Sequence, residues 1–196
     1  MCKETSKASR RRNLNPLFTE RYFVGDGIDI GCGPDMLSKE MGFPKINSVE
    51  PFDLQHGDAQ YVDKYISKKY DFVHSSQCLE HLHDPFVAIN SWLSILKPGG
   101  YLVCTFPDED LYEQGFWPPK WNTDHKKTFS IYKLTSWSPA HINVVDLIKE
   151  IKYNINVISL SIIDTGYVYD GKIYDQTFGD FGAEAFIELI IQKCQD

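Results

Sequence analysis

The residues whose chemistry can be read first are Asp29, Gly31, Gly33, Glu50 and Asp58. Gly31 and Gly33 follow an apolar run, and without a Cβ they let the backbone turn sharply and approach a ligand. Asp29, two residues ahead of the first glycine, can bind a cationic amino group. Glu50 closes a second apolar run, where an acid can accept both hydroxyls of a ribose in a bidentate pair. At Asp58-Ala59 a carboxylate can take the exocyclic amine of adenine while a backbone N–H meets a ring nitrogen. Acids so placed suit a cationic adenosyl ligand. A dinucleotide is disfavoured, because its pyrophosphate would meet Asp29 and would want a third glycine near Met36.

A second set of reactive residues lies in the long stretch 107–127. His125 is the candidate general base, since an imidazole titrating near about 6.5 suits removing a proton at neutral pH. Asp124 or Asp108 would orient it. Tyr112, Phe116, Trp117 and Trp121 can exclude water and stack on an acceptor, and Glu113 and Gln114 can hydrogen-bond it. Lys120, Lys126 and Lys127 could pair with a phosphate or carboxylate. A loop this long and aromatic is expected to be an ordered cover over a site. Glu80, His81 and His83 could suggest a metal, but none is expected. The cysteines at 2, 32, 78, 104 and 194 form no CxxC pair, which points to a reducing compartment and no disulfide frame.

These residues need elements to hold them. Strands are expected at 28–31, 46–50, 70–74 and 101–106, with helical stretches at 34–41 and 61–69. The stretch 51–59 is too short for a full crossover helix and strand. Asp84-Pro85 is a helix start, an N-cap acid followed by proline at the first helical position. Phe86, Ile89, Leu93 and Leu96 then give that helix one apolar face. Strands alternating with helices imply a parallel sheet with right-handed crossovers. Ser138-Pro139 should cap a helix carrying Val144, Ile148 and Ile151. The late strands 155–163 and 185–191 lack a crossover helix between them and must be antiparallel. Asp170-Gly171 predicts a hairpin turn within 167–174.

Taken together, these blocks resemble the class I S-adenosylmethionine-dependent methyltransferases. Gly27-Ile28-Asp29-Ile30-Gly31-Cys32-Gly33-Pro34 resembles their motif I. Tyr70-Asp71-Phe72-Val73-His74-Ser75-Ser76-Gln77-Cys78-Leu79-Glu80-His81-Leu82 is similar to the fourth-strand block of the small-molecule branch, and Leu96-Lys97-Pro98-Gly99-Gly100-Tyr101-Leu102 to the fifth. The match covers about residues 27–106 and departs where the usual third glycine falls near Asp35.

The resemblance implies a Rossmann-like α/β fold, mostly parallel with an antiparallel final strand and helices on both faces. It implies S-adenosylmethionine as cofactor, with Asp29, Gly31 and Gly33 at the methionine moiety and Glu50 at the ribose. Asp58 and Ala59 would meet adenine, and Ser75 and Ser76 would line the methyl-donor side. The acceptor pocket would come from the N-terminal segment and the insertion, through Tyr112, Glu113, Gln114, Trp117, Lys120 and Trp121. The pattern also resembles small bacterial enzymes of surface-polysaccharide pathways, which suggests a phosphorylated or sugar-linked acceptor such as a precursor of the O-methyl phosphoramidate capsule group.

Bulk properties set the frame. The 196 residues, 42% hydrophobic, read as one domain with parts 1–24, 25–106, 107–137 and 138–196. The basic run Arg10-Arg11-Arg12 reads as part of a solvated tail. No secretory signal or membrane span is expected, so the protein is expected to be cytoplasmic. A net charge of -7 argues against nucleic acid as a partner. A small-molecule acceptor is the expected partner, with the oligomeric state open. The competing readings are a non-catalytic partner subunit of the same fold and a nucleic-acid methyltransferase.

Overall fold

A computed structural model describes residues 3–195; Met1, Cys2 and Asp196 lie outside it, so nothing is said of Cys2. A mixed six-stranded sheet forms the centre. Its strands are β1 (Gly25–Ile30), β2 (Ile46–Phe52), β3 (Tyr70–Ser76) and β4 (Leu96–Pro107). A small parallel pair, β5 (Thr128–Ser130) and β6 (His141–Asn143), follows, and β7 (Ile155–Ile163) and β8 (Phe186–Lys193) complete the sheet. The order is β2-β1-β3-β4-β8-β7. β8 alone runs against its neighbours β4 and β7. Order therefore reverses at β1, between β2 and β3, and that crevice is where such sheets bind ligands.

Three α-helices serve this sheet among the described residues: α1 (Glu4–Arg12), α2 (Pro85–Ser94) and α3 (Val144–Lys149). α2 starts as its sequence predicts, with Asp84 accepting from the amides of Phe86 and Val87 and Pro85 in the first turn. Its apolar side packs on one sheet face with Ile28, Ile30, Leu102 and Ile187, and Trp92 Nε1 donates to Ala59 O at 2.7 Å. On the opposite face Phe18, Tyr22, Phe23, Phe43 and Phe72 form a second apolar layer. A wide π-type turn, Phe18–Tyr22, delivers the first two of these.

Several helices expected from sequence are shorter. Residues 34–41 keep only a 3-10 turn, Lys39–Met41. The amide of Leu37 is spent on Asp29 at 2.7 Å, and Asp35 accepts from the Ser6 amide of α1 at 2.9 Å. Tertiary partners thus take over groups a helix would have used, and α1 covers the face instead. Residues 61–69 likewise give only the turn Ala59–Lys64, kinked at Tyr61. No strand leads into Asp58, which caps that turn by accepting from Gln60 N. The helix expected from Ser138 begins at Val144, because residues 141–143 pair with β5. Around Asp170 the chain makes a turn but no paired strands: Gln176 replaces the ladder by bonding both backbone groups of Val168.

The N-terminal segment is also not the solvated tail its basic run suggested. Arg12 is completely buried, and its Nε donates to Glu188 Oε2 at 2.7 Å. Arg11 reaches Glu184 and Glu188 in parallel. An ionised side chain tolerates such burial only when paired, so β8's acid holds α1 to the sheet.

Candidate active site

The carboxyl ends of β1, β2 and β3 open onto a cavity of about 610 Å³. Gly31, Asp53, Leu54, Asp58, Ala59, Gln77, Cys78, His81 and Leu82 are among its lining residues. Its size falls within the usual range for small-molecule sites, about 300–1,000 Å³. Gly31 adopts φ +71°, and a Cβ there would lie 2.5 Å from Cys78 Sγ. Only glycine fits, so the first glycine of the motif keeps this end open. Gly33, at φ +51°, donates its amide to Asp53 Oδ2 at 2.9 Å. Another cavity, about 680 Å³, is lined by Tyr61, Asp63, Phe86 and Asn90 on α2's outer side, away from the strand ends.

At the acid expected to meet the ribose, sequence and structure part. β2 runs to Phe52, two residues beyond its expected end, so Glu50 lies within the strand opposite Ile28. Its carboxylate accepts from Lys68 and from the Tyr70 hydroxyl, and it does not line the cavity. Lys68 and Tyr70 hold that carboxyl below its ordinary range. Asp53, just past the strand end, is the acid that reaches the cavity. The same displacement affects β3. Ser75 is buried with its hydroxyl on Ile30 O, and Ser76 meets Thr105, so neither lines the cavity. Gln77, in a left-handed conformation at φ +54°, and Cys78 do so instead. The strand-end register is the signal that would have found Asp53 and Gln77.

Asp29 is fully buried and also stays out of the cavity. Its Oδ2 accepts from Leu37 N and its Oδ1 meets His74 Nδ1, both at 2.7 Å. Arg12 Nη1 lies 3.1 Å from His74 Nε2. Arginine can only donate, so Nε2 accepts and the other ring nitrogen carries the proton given to Asp29. The expected amine-binding acid is instead one link of a chain, Leu37–Asp29–His74–Arg12–Glu188, that fixes the glycine loop against α1 and β8.

A smaller cavity, about 150 Å³, adjoins the first through two shared residues, Gln77 and His81. Glu4, Glu80, Tyr112, Asn122, His125 and Phe186 also line it. The backbone amides of Lys126 and Lys127 both donate to Glu80 O, which docks the insertion against the turn Leu79–His81. His125 is thereby buried, 2.6 Å through Nδ1 from Glu113 Oε1 and 3.9 Å through Nε2 from Glu80 Oε1. Burial opposes a charge on this imidazole, but Glu113 and Glu80 outweigh it and hold the pKa above its ordinary value. The Tyr112 ring lies over His125 at a centroid distance of 5.3 Å. Neither oxygen of the buried Glu80 carboxylate has a hydrogen-bond partner, and burial pushes its pKa up.

The other residues expected at the acceptor sit elsewhere. Gln114 bonds Leu111 O and Tyr174 O, fastening the insertion to the β7–β8 connection. Lys120 places its ammonium over the Phe116 and Trp121 rings, and Trp117, Lys120 and Trp121 line neither cavity of the site. They form an outer aromatic cap. Of the orienting acids, Asp124 bonds His81 rather than His125, and Asp108 caps the turn Glu109–Glu113. Glu109, unnoticed in the sequence, is the insertion's buried anchor, shared by Thr128, Lys133, Ser136 and His141. Cys32, Cys78, Cys104 and Cys194 are free thiols.

Comparison with known proteins agrees with this architecture. Residues 4–147 match a family profile described as a methyltransferase domain. A ubiquinone biosynthesis O-methyltransferase of Salmonella typhi is 27% identical over 114 residues, 44% of this chain and 47% of that protein. An uncharacterized methyltransferase of Schizosaccharomyces pombe is 26% identical over 127 residues, 50% of this chain and 44% of that protein. The chain thus spans about half the length of the curated relatives it matches. Among solved structures, an S-adenosylmethionine-dependent methyltransferase from Clostridium acetobutylicum superposes with a TM-score of 0.57 at 14% identity, covering 96% of this chain and 92% of that one. One from Archaeoglobus fulgidus gives 0.53 at 20% identity, covering 97% and 94%. The chain belongs to the methyltransferase domain family and has the fold of its S-adenosylmethionine-dependent enzymes.

Proposed function

We propose that the chain transfers the methyl group of S-adenosylmethionine to a hydroxyl oxygen or amine nitrogen of a small molecule. The cofactor would lie in the larger cavity and the acceptor in the smaller. The observation that carries this reading is their junction: Gln77 and His81 line both. When bound, the cofactor supplies an electrophilic methyl group on a sulfonium.

The residues present fit that cofactor. Gly31 leaves space where any side chain would strike Cys78. Asp53 is placed to accept the ribose hydroxyls, with Asp58 and Ala59 at the adenine and Leu54 and Leu82 as apolar walls. Gln77 brings a buried amide nitrogen without a partner, a donor waiting at the junction. Gly33 contributes by pinning Asp53, and Asp29 by holding the loop that follows the glycines.

On the acceptor side the chain's main work is orientation. Holding two reactants in line can supply about 7–11 kcal/mol of a barrier. Tyr112 closes the cavity, and Glu113 fixes the His125 ring so that Nε2 faces inward. That nitrogen can take a proton from the acceptor or hold an ion beside it. The carboxylates of Glu4 and Glu80 do not suit a bare phosphate or phosphoramidate. Lys126 pairs with Asp124 and lines the larger cavity rather than this one. Placement in a surface-polysaccharide pathway rests on the sequence resemblance alone, which makes sugar-linked hydroxyls and amines the first acceptors to screen.

Calorimetric titration with S-adenosylhomocysteine tests the cofactor half, and a structure of that complex tests its location. One bound equivalent, with the nucleoside between Asp53 and Asp58, is expected. Absence of binding would favour the partner-subunit reading. For the nucleic-acid alternative, a mobility shift at moderate salt should show no complex, as the acidic composition requires.

A further inference from the structure

Glu80, His81 and His125 bring three donor atoms within 4.8 Å of one another. His81 Nε2 lies 3.8 Å and His125 Nε2 3.9 Å from the same oxygen, Glu80 Oε1. The far nitrogens of both rings are taken: His81 Nδ1 meets Asp124 Oδ2 at 2.9 Å and His125 Nδ1 meets Glu113 Oε1 at 2.6 Å. If each Nδ1 carries the proton shared with its carboxylate, each Nε2 presents a lone pair toward Glu80. In that tautomer the three groups turn lone pairs toward one shared space. At 3.8 and 3.9 Å no proton can bridge them as a hydrogen bond.

We propose that Glu80, His81 and His125 form a binding site for one divalent first-row transition ion at the wall of the acceptor cavity. Two independent features point the same way. Glu80 is 1% exposed and both its oxygens lack hydrogen-bond partners, an arrangement that a bound cation would satisfy. Each histidine is backed by a carboxylate on its other nitrogen, the arrangement that fixes the tautomer and orientation of metal-ligating imidazoles. An ion about 2.1 Å from each donor in tetrahedral geometry sets donors roughly 3.4 Å apart. The present separations close to that by side-chain rotation. Imidazole nitrogens select zinc, cobalt, nickel or iron over magnesium or calcium. Three protein ligands leave one position for a further donor, and this one opens to a cavity bounded by Gln77, Tyr112 and Asn122. An acceptor hydroxyl or amine fits there, so the ion would also neutralise Glu80 and dock the acceptor. That docking role rests on the methyltransferase reading; the ion site itself does not.

The full chain, stripped with a chelator and dialysed, is titrated with Co²⁺ followed by visible absorption and with Zn²⁺ followed by calorimetry. One equivalent should bind, with the intense absorption of a low-coordinate cobalt site and a rise in melting temperature. Glu80→Gln and His81→Ala should each weaken binding about 100-fold or more, while His83→Ala, an exposed residue outside the cluster, should leave it unchanged. Glu80→Gln removes only charge, and its cofactor-product binding, measured with S-adenosylhomocysteine, should persist. This separates loss of the ion from failure of the methyltransferase reading. No cobalt or zinc binding by the wild-type chain would overturn the site. Binding undiminished in Glu80→Gln and His81→Ala, or binding of Mg²⁺ alone, would overturn it equally.

Discussion

The molecule contains two buried polar networks that obey opposite rules. The chain Leu37–Asp29–His74–Arg12–Glu188 links α1 to the sheet through hydrogen bonds at every link, and Arg12 Nη2, which makes none, still lies 2.7 Å from Glu188 as an ion pair. The cluster Glu80–His81–His125–Glu113 joins the turn after β3 to the insertion after β4, with three carboxylate oxygens left without a hydrogen-bond partner. Buried polar groups are costly unless satisfied, so a complete network rigidifies while an incomplete one marks a place that waits for something. The first network holds the glycine loop. The second faces the smaller cavity.

The sharpest way to break this contrast is to remove Arg12. Arg12→Ala should destabilise the fold by about 3 kcal/mol, because it removes the fully buried partner of Glu188, leaving that carboxylate to Arg11 alone, and takes the donor from His74 Nε2. Chemical denaturation would measure it, and a loss under 1 kcal/mol would mean that α1 is not held as described. Next in size is Asp53, the acid proposed to meet the cofactor's ribose. Asp53→Ala should weaken S-adenosylhomocysteine binding about 100-fold, the worth of two charge-assisted hydrogen bonds. Glu50→Ala should change it less than about threefold, since its partners are Lys68 and Tyr70 on a half-exposed surface. The reverse ranking would restore the assignment read from the sequence.

A smaller effect of opposite sign belongs to the unsatisfied network. In metal-free protein, Glu80→Gln should raise stability by about 1 kcal/mol, because an unpartnered buried carboxylate gives way to a neutral amide. A destabilised variant would show that Glu80 has a partner after all. The gentlest test is pH. Glu188 is held below the ordinary carboxyl range: burial would raise it, but Arg12 and Arg11 on α1 outweigh burial. Arg11, Arg12 and, through its field, the Tyr22 phenol are the titratable groups that face it. A lowered folded pKa means this contribution is complete above the unfolded value of 4.5 and is lost as pH falls through the folded one. The stability gap between wild type and Glu188→Gln should therefore shrink on acidification below about pH 4.5.

Much of the fold was legible in local pattern. The runs at 28–31, 46–50 and 70–74 are strands, Asp84-Pro85 opens α2, and the two late strands are antiparallel, as their missing crossover requires. Glycine at 31, Asp58, Ala59 and Cys78's neighbourhood gather at one cavity because they follow strand ends. The misses share a cause. β2 and β3 run two residues beyond their expected ends, which brings Asp53, Gln77 and Cys78 to the cavity and leaves Glu50, Ser75 and Ser76 out of its lining. Alternation along a strand says which face a residue takes, but only pairing partners decide where the strand stops. Short helices at 34–41 and 61–69 failed for a related reason, since amides claimed by Asp29 and by turns cannot also propagate a helix.

By itself the sequence determined the alternating order of the sheet, the open glycine turn at its switch point and the family to which the chain belongs. Those depend on residues close together in the chain, through periodicity, capping and the absence of a Cβ. Only the tertiary structure decided that Arg12 lies in the core, that Asp29 is a strut, and that His125 meets Glu80 and His81. Residues 12 and 188, or 80 and 125, are neighbours only after the sheet and the insertion have folded, and charge pairing in a low-dielectric interior leaves no local trace in sequence. The first glycine opens the cavity at the sheet's switch point. The long-range pairing of Glu80 with His125 defines what can sit opposite it.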